Sequence, residues 1–466
     1  MHFVSFRLLL RSFLQHRDLP FAEVLSEETI RQAFADENVN FAQEEGDVYT
    51  PPLTLWAFLS QVLFKEQQRS CLAAVARVVV LRVALGREPC SDNTGAYCRA
   101  RAKIPVVVLR RLTLQVGDAC EQQVPRHWLW KNRHVHLVDG ATVSTPDTPA
   151  NQAVWPQPAA QKPGLGFPLI RMVVLVSVAT AMITGMEMGP YQGKETGETA
   201  LLRALFDRLH AGDVVVGDRY YCSYFMVALL RELGIDIVVR LHQLRNADFR
   251  RGRRLGSGDH IVEWLRPARP TWMDAETYAR IPATLAVREV RVSVEQPGFR
   301  VDQFVVVTSL LDADAFTRQD IAELYHQRWL VELDIRTLKL TLGMDVLRCK
   351  SPEMVRREIW ASLLAYNLIR QTMLPAALAA DVSPRELSFT AALQKIAASW
   401  NTLGVADDAA AVVLIEVHLR HLAHHRVGDR PDRVEPRANK RRPKAQKFLT
   451  QPRSQARAAL LAGAAE

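Results

Sequence analysis

Apolar residues recur at helical spacing through roughly the first 130 positions of the chain. Stretches such as LTLWAFLSQVL and CLAAVARVVVLRVAL carry an apolar residue at every third or fourth position. The polar segment REPCSDNTG follows the second of them, and its Ser, Asp and Asn residues are typical helix caps. This pattern predicts an α-helical N-terminal domain.

The pattern changes at HVHLVDGATVSTP (134–146), where alternation and β-branched residues predict a strand. RMVVLVSVAT and AMITGMEMG predict two more strands. Beyond them we expect a helix in GETALLRALFDRLHAG, a buried strand in DVVVGDRYY, a helix in SYFMVALLRELG and a strand in DIVVRLH. The resulting order, βββαβαβ, predicts a mixed α/β sheet.

Residues 243–312 are again rich in strand-forming residues, with TLAVREVRVSVE and RVDQFVVVTSLL on either side of QPGF, which predicts a hairpin turn. A long helix is predicted to begin after Thr317, whose hydroxyl can cap it together with Asp320, and to run to about Leu342. The chain thus divides into a helical N-terminal domain (1–130), the first part of an α/β core (131–242), a β-rich insertion (243–312), core helices (313–375) and C-terminal helices with a basic tail (376–466).

Charge narrows the range of partners. The formal net charge is +9, and the segment from Arg430 to Arg457 holds ten Lys or Arg against two acids, which accounts for +8. An acidic partner such as nucleic acid is favoured. The six cysteines form no CxxC pair, so we expect reduced thiols. The longest apolar run, MVVLVSVATAMI, falls short of the ~20 residues that span a bilayer, so a soluble, cytoplasmic protein is predicted.

The segment YHQRWLVELDIRTLK concentrates polar side chains on one side of the predicted helix. At about 100° per residue, Arg328, Glu332 and Lys339 fall at about −60°, −20° and −40° from Tyr325. Arg336, at about +20°, joins this stripe, whereas Asp334 falls at about 180°. A stripe of this kind is either an ordinary solvated face or a functional strip.

Two further carboxylates favour the second interpretation. Asp139 lies at the end of the first predicted strand, and Asp218 follows the buried strand, where an acid is costly unless it is solvated or binds a metal. Together with Glu332 they supply three hard oxygen ligands. Such a set favours Mg²⁺ or Mn²⁺ over Zn²⁺, and two ions roughly 3.5–4 Å apart can promote phosphodiester displacement.

The segments LVDGATV, GDRYYCSY and LYHQRWLVELDIRTLK resemble the bacterial insertion-sequence DDE transposases that carry a Tyr-x2-Arg-x3-Glu-x6-Lys signature. The spacing of Tyr325, Arg328, Glu332 and Lys339 matches that signature without a gap. Further similarity in YTPPLTLWAFLSQVL, NTGAYCRARAKIP, PGLGFPLIR and RVEPRANKRRPKAQKFL extends the resemblance over most of the chain.

The resemblance implies a ribonuclease H-like core interrupted by the β-rich insertion, and an N-terminal domain that binds DNA. It implies that Asp139, Asp218 and Glu332 hold two Mg²⁺ or Mn²⁺ ions, and that Tyr325, Arg328 and Lys339 contact transposon-end phosphates. The implied partners are double-stranded DNA, as transposon ends and target, and a second copy of the chain in a synaptic homodimer. The implied location is the bacterial cytoplasm, in association with the nucleoid, with no membrane contact.

The implied reaction is hydrolytic nicking at the inverted repeats, followed by attack of the freed 3′ hydroxyl on target DNA. Relatives with this signature form a hairpin intermediate and hold a flipped base on a Trp of the insertion. Trp264 is the first candidate and Trp272 the second, and each is equally well interpreted as a core Trp.

Several interpretations stay open. Arg219 either neutralises a phosphate or pairs with Asp218, and the tail residues Lys440, Arg441 and Arg442 either bind phosphate or form a solvated charge run. The helical histidines His418, His421, His424 and His425 favour a surface helix over a zinc site. At the level of the whole protein, a ribonuclease H-like nuclease without strand transfer and an inactive DNA-binding derivative are the alternatives to a transposase.

Overall fold

The computed structural model of the protein describes residues 5–44, 46–293, 303–428 and 449–463. Before the first strand, the described chain is helical, as predicted. Its helices are α1 (Arg7–Ser12), α2 (Glu27–Asp36), α3 (Pro51–Leu63), α4 (Cys71–Ala84), α5 (Thr94–Ala102) and α6 (Val106–Gln123). The predicted cap Asn93 does begin α5, because its side chain accepts a hydrogen bond from the Gly95 N–H at 2.7 Å.

The βββαβαβ order predicted for the next segment is present, apart from one short helix between the first two strands that was not predicted. Its elements are β1 (Val135–Ser144), the short helix α7 (Pro149–Val154), β2 (Leu169–Ser177), β3 (Ile183–Pro190), α8 (Glu198–Arg203), β4 (Val214–Gly217), α9 (Tyr224–Glu232) and β5 (Asp236–Arg240). All four residues of β4 are buried, as expected for a strand in the middle of a sheet.

The β-rich character predicted for the following segment is also confirmed. It contains β6 (Arg253–Gly256), β7 (Asp259–Leu265), α10 (Ala275–Arg280), β8 (Thr284–Ser293) and β9 (Gln303–Thr308). Strands β8 and β9 are antiparallel, with Ser293 opposite Gln303. The turn predicted at QPGF lies outside the described residues.

Within the described ranges, nine strands form one mixed sheet in the order β3-β2-β1-β4-β5-β9-β8-β7-β6. Strand β4 is parallel to β5, and the strands from β5 outward pair antiparallel. The strands of the insertion therefore continue the sheet, since β9 pairs directly with β5. This pairing provides hydrogen-bond partners for the backbone groups of β5 that would be unpaired if β5 were an edge strand.

The remaining described helices follow the sheet. They are α11 (Arg318–His326), α12 (Trp329–Arg336) with a π-helical turn at Thr337–Thr341, α13 (Pro352–Ala379), α14 (Phe389–Ser399), α15 (Thr402–Val405), α16 (Asp408–Ala423) and α17 (Arg453–Gly463). The predicted start of α11 is confirmed, because Thr317 and Asp320 form a reciprocal capping box. None of the described helices is both long and apolar enough to cross a membrane.

The prediction of one continuous helix from Thr317 to about Leu342 was wrong. Helix α11 ends in a tighter turn, in which the Arg328 N–H donates to the Tyr325 carbonyl at 3.0 Å. After α12 the backbone widens, and the Leu342 N–H donates to the carbonyl of Thr337. The uniform angle of about 100° per residue therefore fails on both sides of α12.

The chain forms two compact units. The first comprises the described parts of Met1–Leu137, Val174–Met186 and Trp329–Gly428, and the second those of Val138–Val173, Glu187–Arg328 and Asp429–Glu466. These units follow boundaries different from the five predicted domains, which stay a prediction.

Helix α13 forms the core of the first unit and is buried over most of its length. The Asn367 side chain on α13 donates to the carbonyls of Thr113 and Ile183, both at 2.9 Å, and so joins α6 to the start of β3. In the same interface, a Cβ atom on Gly117 would lie 2.6 Å from the Ile183 carbonyl oxygen. Only glycine permits this close approach of helix and strand.

Candidate active site

Asp139 and Asp218 lie on neighbouring strands of the second unit. Asp139 is within β1, Asp218 directly follows β4, and β1 is next to β4 in the sheet. Gly217 permits a close approach, because a Cβ atom there would lie only 2.8 Å from Cγ1 of Val138. The residues that immediately precede the two aspartates are thus packed against each other, which brings the two carboxylates to the same part of the sheet.

Both carboxylates are oriented by backbone groups. The Gly140 N–H donates to Oδ1 of Asp139 at 2.8 Å, and the Tyr220 N–H donates to Oδ1 of Asp218 at 2.7 Å. Asp218 thereby caps a 3₁₀ turn at Arg219–Tyr221 that reverses the chain after β4. Both aspartates are partly exposed. Water can therefore solvate their charges, which would be costly to bury at the end of a strand.

A third carboxylate, Glu198, lies beside this pair and was not predicted. It is the first residue of α8, and a Cβ atom on Gly140 would overlap its carboxylate. Burial raises the pKa of Glu198, and the charge of Asp218 raises it further, whereas Arg171 acts in the opposite direction. Its only signal in the sequence is weak, because an acid in the first turn of a helix is common.

The Tyr221 side chain lies close to all three carboxylates. The side chain is fully buried, and a Cβ atom on Gly217 would lie 2.9 Å from its Cδ2 atom. Burial raises the pKa of Tyr221 well above its usual value, and the charges of Glu198, Asp139 and Asp218 add to the increase. The Tyr221 hydroxyl lies beside the Glu198 carboxylate, and hydrogen bonding from it acts to lower the pKa of Glu198, against the effect of burial.

Arginines and a tyrosine surround the other side of Asp218. Strands β4 and β5 are parallel with Gly217 opposite Val239, so the next residues, Asp218 and Arg240, are neighbours at the end of the two strands. Arg240 was not predicted, although its position at the end of DIVVR repeats that of Asp218 after VVVG. Burial lowers the pKa of Arg240, and the positive charges of Arg219 and Arg328 lower it further.

Tyr325 completes this cluster. Its side chain is 7% exposed, with its ring 5.3 Å from that of Phe304 on β9. Burial raises the pKa of Tyr325 to about 12, and Arg328 and Arg240 oppose the increase. Tyr325 is therefore a neutral hydroxyl at physiological pH, while the arginines around it supply positive charge. Arg219 donates to the side-chain oxygen of Gln243 at 3.4 Å.

The remaining residues of the predicted stripe belong to the first unit. Glu332 is in the first turn of α12 and partly exposed, Arg336 ends the helix and is exposed, and Lys339 lies in the π-helical turn, partly exposed. Asp334 differs from Glu332, as the helical geometry predicted, since it is only 2% exposed. Its carboxylate accepts hydrogen bonds from Arg370 at 2.9 Å, from Arg385 at 3.0 Å and from the Tyr366 hydroxyl at 3.0 Å.

The donor type in the second unit fits a divalent cation, because Asp139, Asp218 and the neighbouring Glu198 offer carboxylate oxygens, the ligands that Mg²⁺ and Mn²⁺ prefer. In the described parts of the chain, no three His, Cys, Asp or Glu side chains are at present close enough together to hold a metal ion. This agrees with the hydrogen bonds that turn Asp139 and Asp218 towards backbone N–H groups.

Trp264 and Trp272 differ in accessibility. Trp264 is 5% exposed, its indole N–H donates to Glu289 at 3.2 Å, and the Arg245 guanidinium covers its ring at 3.9 Å. These contacts favour the core interpretation of Trp264, because no ring face is left for a base. Trp272 is partly exposed and lines a cavity of about 230 Å³ together with Phe225 and Arg203, whose guanidinium lies 3.7 Å from the ring centroid.

Other predicted positions give less information. Lys440, Arg441 and Arg442 lie outside the described residues. His418, His421 and the neighbouring histidines lie on or directly after α16, and among the described residues they belong to no group of three potential metal ligands. Burial lowers the pKa of His418, which contacts Ser399 of α14.

Known proteins are similar to this chain over the region that holds these residues. Residues 130–368, slightly more than half of the chain, match the family described as transposase DDE domain. The chain is 28% identical over 289 residues to the transposase InsG for insertion sequence element IS4 of Escherichia coli (strain K12), which covers 60% of this chain and 61% of that protein. It is also 36% identical over 81 residues to the putative transposase InsL for insertion sequence element IS186A of the same strain. That match covers 17% of this chain and 21% of that protein.

The chain thus matches less than two thirds of the length of these curated relatives. Among solved structures, a piggyBac transposase in a synaptic complex with hairpin DNA aligns over 88% of this chain and 84% of its own, at 9% identity and a TM-score of 0.42. The family match includes both aspartates, the arginine cluster, α12 and the π-helical turn. On the strength of that match, the chain belongs to the transposase DDE domain family.

Proposed function

We propose that the protein is a DNA transposase that cleaves the inverted repeats at the ends of an insertion sequence and joins the freed 3′ hydroxyl to target DNA. The observation that carries this proposal is the juxtaposition of Asp139 and Asp218 on the adjacent strands β1 and β4, in a chain of the DDE family. Cleavage of the second strand through a hairpin intermediate is part of the proposal.

The catalytic core is proposed to be ribonuclease H-like. The βββαβαβ order supports this, as does the arrangement in which β1 lies between β2 and β4 and β4 is parallel to β5. Strands β6 to β9 would then be an addition to one edge of that core.

Asp139, Asp218 and Glu332 are proposed to hold two Mg²⁺ or Mn²⁺ ions. When bound, such ions activate the attacking oxygen and stabilise the leaving oxygen of a phosphodiester displacement. The role of the two aspartates is to present carboxylate oxygens from the sheet. Hydrogen bonds from backbone N–H groups hold each carboxylate in place. Glu332 contributes a partly exposed carboxylate from the first turn of α12.

The cationic residues have a separate role. Arg219, Arg328 and Asp218 all lie close enough to Tyr325 to act on its pKa, so the two arginines supply positive charge that would hold a scissile phosphate. The aspartates alone would repel that phosphate. Tyr325 adds a neutral hydroxyl that can donate to a phosphate oxygen without adding charge. Lys339, Arg336 and the tail residues Lys440, Arg441 and Arg442 are proposed to contact more distant phosphates.

A flipped base is proposed to stack on Trp272 rather than Trp264. Accessibility supports this choice, since Trp272 borders the 230 Å³ cavity and Trp264 is covered by Arg245. The protein is further proposed to act as a homodimer on paired ends, to bind DNA through its helical N-terminal region, and to work in the cytoplasm in association with the nucleoid.

A cleavage and joining assay tests the proposal. Purified protein is incubated with DNA that carries the flanking inverted repeat, with Mg²⁺ or Mn²⁺ and a target plasmid. We expect cleavage at the repeat and joining to the plasmid, and we expect Glu332→Gln to abolish both. Glu323→Gln, an exposed change on α11, is the matched control and should leave activity intact.

Two outcomes would contradict the proposal in different ways. Cleavage that persists in Glu332→Gln would refute the assignment of the triad. Cleavage without any joined product would identify a nuclease instead of a transposase.

A further inference from the structure

The first unit contains a cavity of about 610 Å³ between α3, α4, α5 and the start of α13. None of the described residues that line it belongs to the proposed catalytic set. A cavity with positively charged walls attracts anions. Four bases against one acid give the described lining a formal charge of +3, from Arg69, Arg101, Arg348, Lys350 and Glu358.

The one acid of this lining is already engaged. Glu358 is 6% exposed, and its carboxylate accepts hydrogen bonds from the backbone N–H groups of Arg348 and Cys349, both at 3.0 Å. The Arg69 guanidinium lies 3.7 Å from the same carboxylate. A single carboxylate does not balance four bases, so the lining keeps a net positive charge.

Two of the arginines are held in place by the protein itself. Arg69 is 8% exposed and donates to the Gly343 carbonyl at 2.6 Å. Arg101 donates to the side-chain oxygen of Gln61 at 2.7 Å, and the Gln61 amide donates in turn to the Arg69 carbonyl at 3.0 Å. Because a guanidinium has several N–H donors, such contacts orient it and leave further donors for a ligand. Anion binding here therefore costs little side-chain entropy.

Two helices begin at this cavity. Helix α4 begins at Cys71, which lines the cavity together with Ser70, and α13 begins after Ser351, which also lines it. Ser70 caps α4 by accepting from the Ala73 N–H at 3.0 Å. The side chain of Ser351 makes no cap hydrogen bond within the described chain, although α13 extends over 28 residues. The start of a helix supplies partial positive charge and N–H donors, a combination that binds phosphate groups.

We propose that this cavity is a binding site for a phosphate group. Guanidinium groups and helix starts both place N–H donors opposite the oxygens of a phosphate. The volume lies within the roughly 300–1,000 Å³ of ligand sites, so a phosphate can enter with the sugar to which it is esterified.

The phosphate has two sources, the backbone of a DNA strand and free phosphate in solution. The DNA source rests on the proposed function. It would give the helical N-terminal region a defined DNA contact, which includes Arg101 of the segment NTGAYCRARAKIP. The free source is independent of the proposed function.

The cysteines of the cavity can report its occupancy in the full chain. Cys71 and Cys98 are partly exposed and line the cavity, whereas Cys90 is partly exposed and lies outside the lining. Iodoacetamide alkylates the three thiols, and mass spectrometry of the peptides measures the rate at each. We expect inorganic phosphate to slow the alkylation of Cys71 and Cys98 and to leave that of Cys90 unchanged. Equal protection by sodium chloride at the same ionic strength would refute the site, because screening is not specific binding.

Arg348→Gln tests whether the basic lining holds the phosphate. Arg348 is exposed, so the variant should fold normally, which circular dichroism and the melting temperature establish. The loss of one charged donor should raise the phosphate concentration for half-protection about tenfold. Arg87→Gln removes the same charge from an exposed residue outside the lining and should bind phosphate as the wild type does. Protection that is unchanged in Arg348→Gln would contradict the site.

DNA distinguishes the two sources of phosphate. A duplex that carries the flanking inverted repeat replaces inorganic phosphate, and fluorescence anisotropy measures its binding in parallel. Protection of Cys71 and Cys98 by bound DNA, with loss of that protection in Arg348→Gln, identifies the DNA backbone as the source. Protection by inorganic phosphate but not by bound DNA identifies free phosphate.

The same measurements separate failure of this inference from failure of the proposed function. If DNA binds and neither DNA nor inorganic phosphate protects the two cysteines, the phosphate site is refuted and the proposed function stands. If inorganic phosphate protects them and DNA does not bind at all, the site stands and the proposed DNA binding is refuted.

Discussion

Arg385 donates a hydrogen bond to the carboxylate of Asp334 at 3.0 Å, from a position 51 residues further along the chain. Arg370 binds the other oxygen of the same carboxylate at 2.9 Å, and all three side chains are largely buried. Asp334 is therefore a structural residue, although it lies only two positions from Glu332. Its contacts fix α12 against α13 and against the segment that precedes α14.

Asp334→Asn should destabilise the protein without removing a residue proposed to be catalytic. Two buried guanidinium groups would lose their counter-charge, and breaking a buried ion pair from one side costs about 3–5 kcal/mol. Glu332→Gln should change the unfolding free energy by less than about 1 kcal/mol, since its side chain is partly exposed. Urea unfolding of both variants measures this difference, and equal stabilities would contradict the structural assignment of Asp334.

The contrast between Asp334 and Glu332 also indicates what the sequence could predict. Helical periodicity separated the two acids correctly, because α12 is regular over the eight residues that hold both. The same periodicity failed for Tyr325 and Lys339, because the tight turn after α11 and the π-helical turn after α12 change the rotation per residue. Those changes come from tertiary packing, which a pattern of apolar positions does not record.

The strand predictions succeeded for a similar physical reason. Buried runs such as VVVG are marked by their β-branched residues, and an acid directly after such a run is conspicuous. Glu198 and Arg240 were missed because their importance arises from neighbours distant in the chain. Arg240 lies next to Asp218 only because β4 pairs with β5. Glu198 lies next to Asp139 only because Gly140 has no side chain.

Ionisation of Tyr325 should lower the free energy of unfolding at alkaline pH. Its pKa is about 12 in the folded protein, against about 10 in an unfolded chain, so the unfolded state loses its proton first as pH rises. The contribution of Tyr325 to stability is complete below pH ~10 and is lost between pH ~10 and ~12. Tyr325→Phe removes this term, so the variant should lose less stability than the wild type over that interval.

Urea unfolding at pH 9 and at pH 11 measures the effect. Tyr220→Phe is the matched control, because the Tyr220 side chain is 51% exposed and its replacement should leave the pH dependence unchanged. An identical loss of stability in the wild type and Tyr325→Phe would contradict the assigned burial of the Tyr325 hydroxyl.

The two tryptophans of the insertion should respond differently to truncation. Trp264→Ala removes a buried ring and leaves Glu289 without the indole donor, so we expect a loss of about 3–5 kcal/mol in unfolding free energy. Trp272→Ala should cost less, because its ring is partly exposed, and should instead reduce hairpin formation at cleaved ends. Chemical unfolding and gel analysis of cleaved repeat DNA measure the two effects, and a Trp272→Ala variant that forms hairpins normally would refute the stacking role.

The basic tail should determine how DNA binding depends on salt. Each phosphate contact by Lys or Arg releases counterions and adds about −0.9 to the slope of log K against log salt concentration. Simultaneous replacement of Lys440, Arg441 and Arg442 by Ala should therefore reduce the slope by up to about 2.7, with equal weakening on specific and unrelated DNA. Fluorescence anisotropy over a series of salt concentrations measures the slope. Arg441→Lys with Arg442→Lys keeps the charge and should preserve it, whereas an unchanged slope in the triple alanine variant would mean that this part of the tail is a solvated charge run.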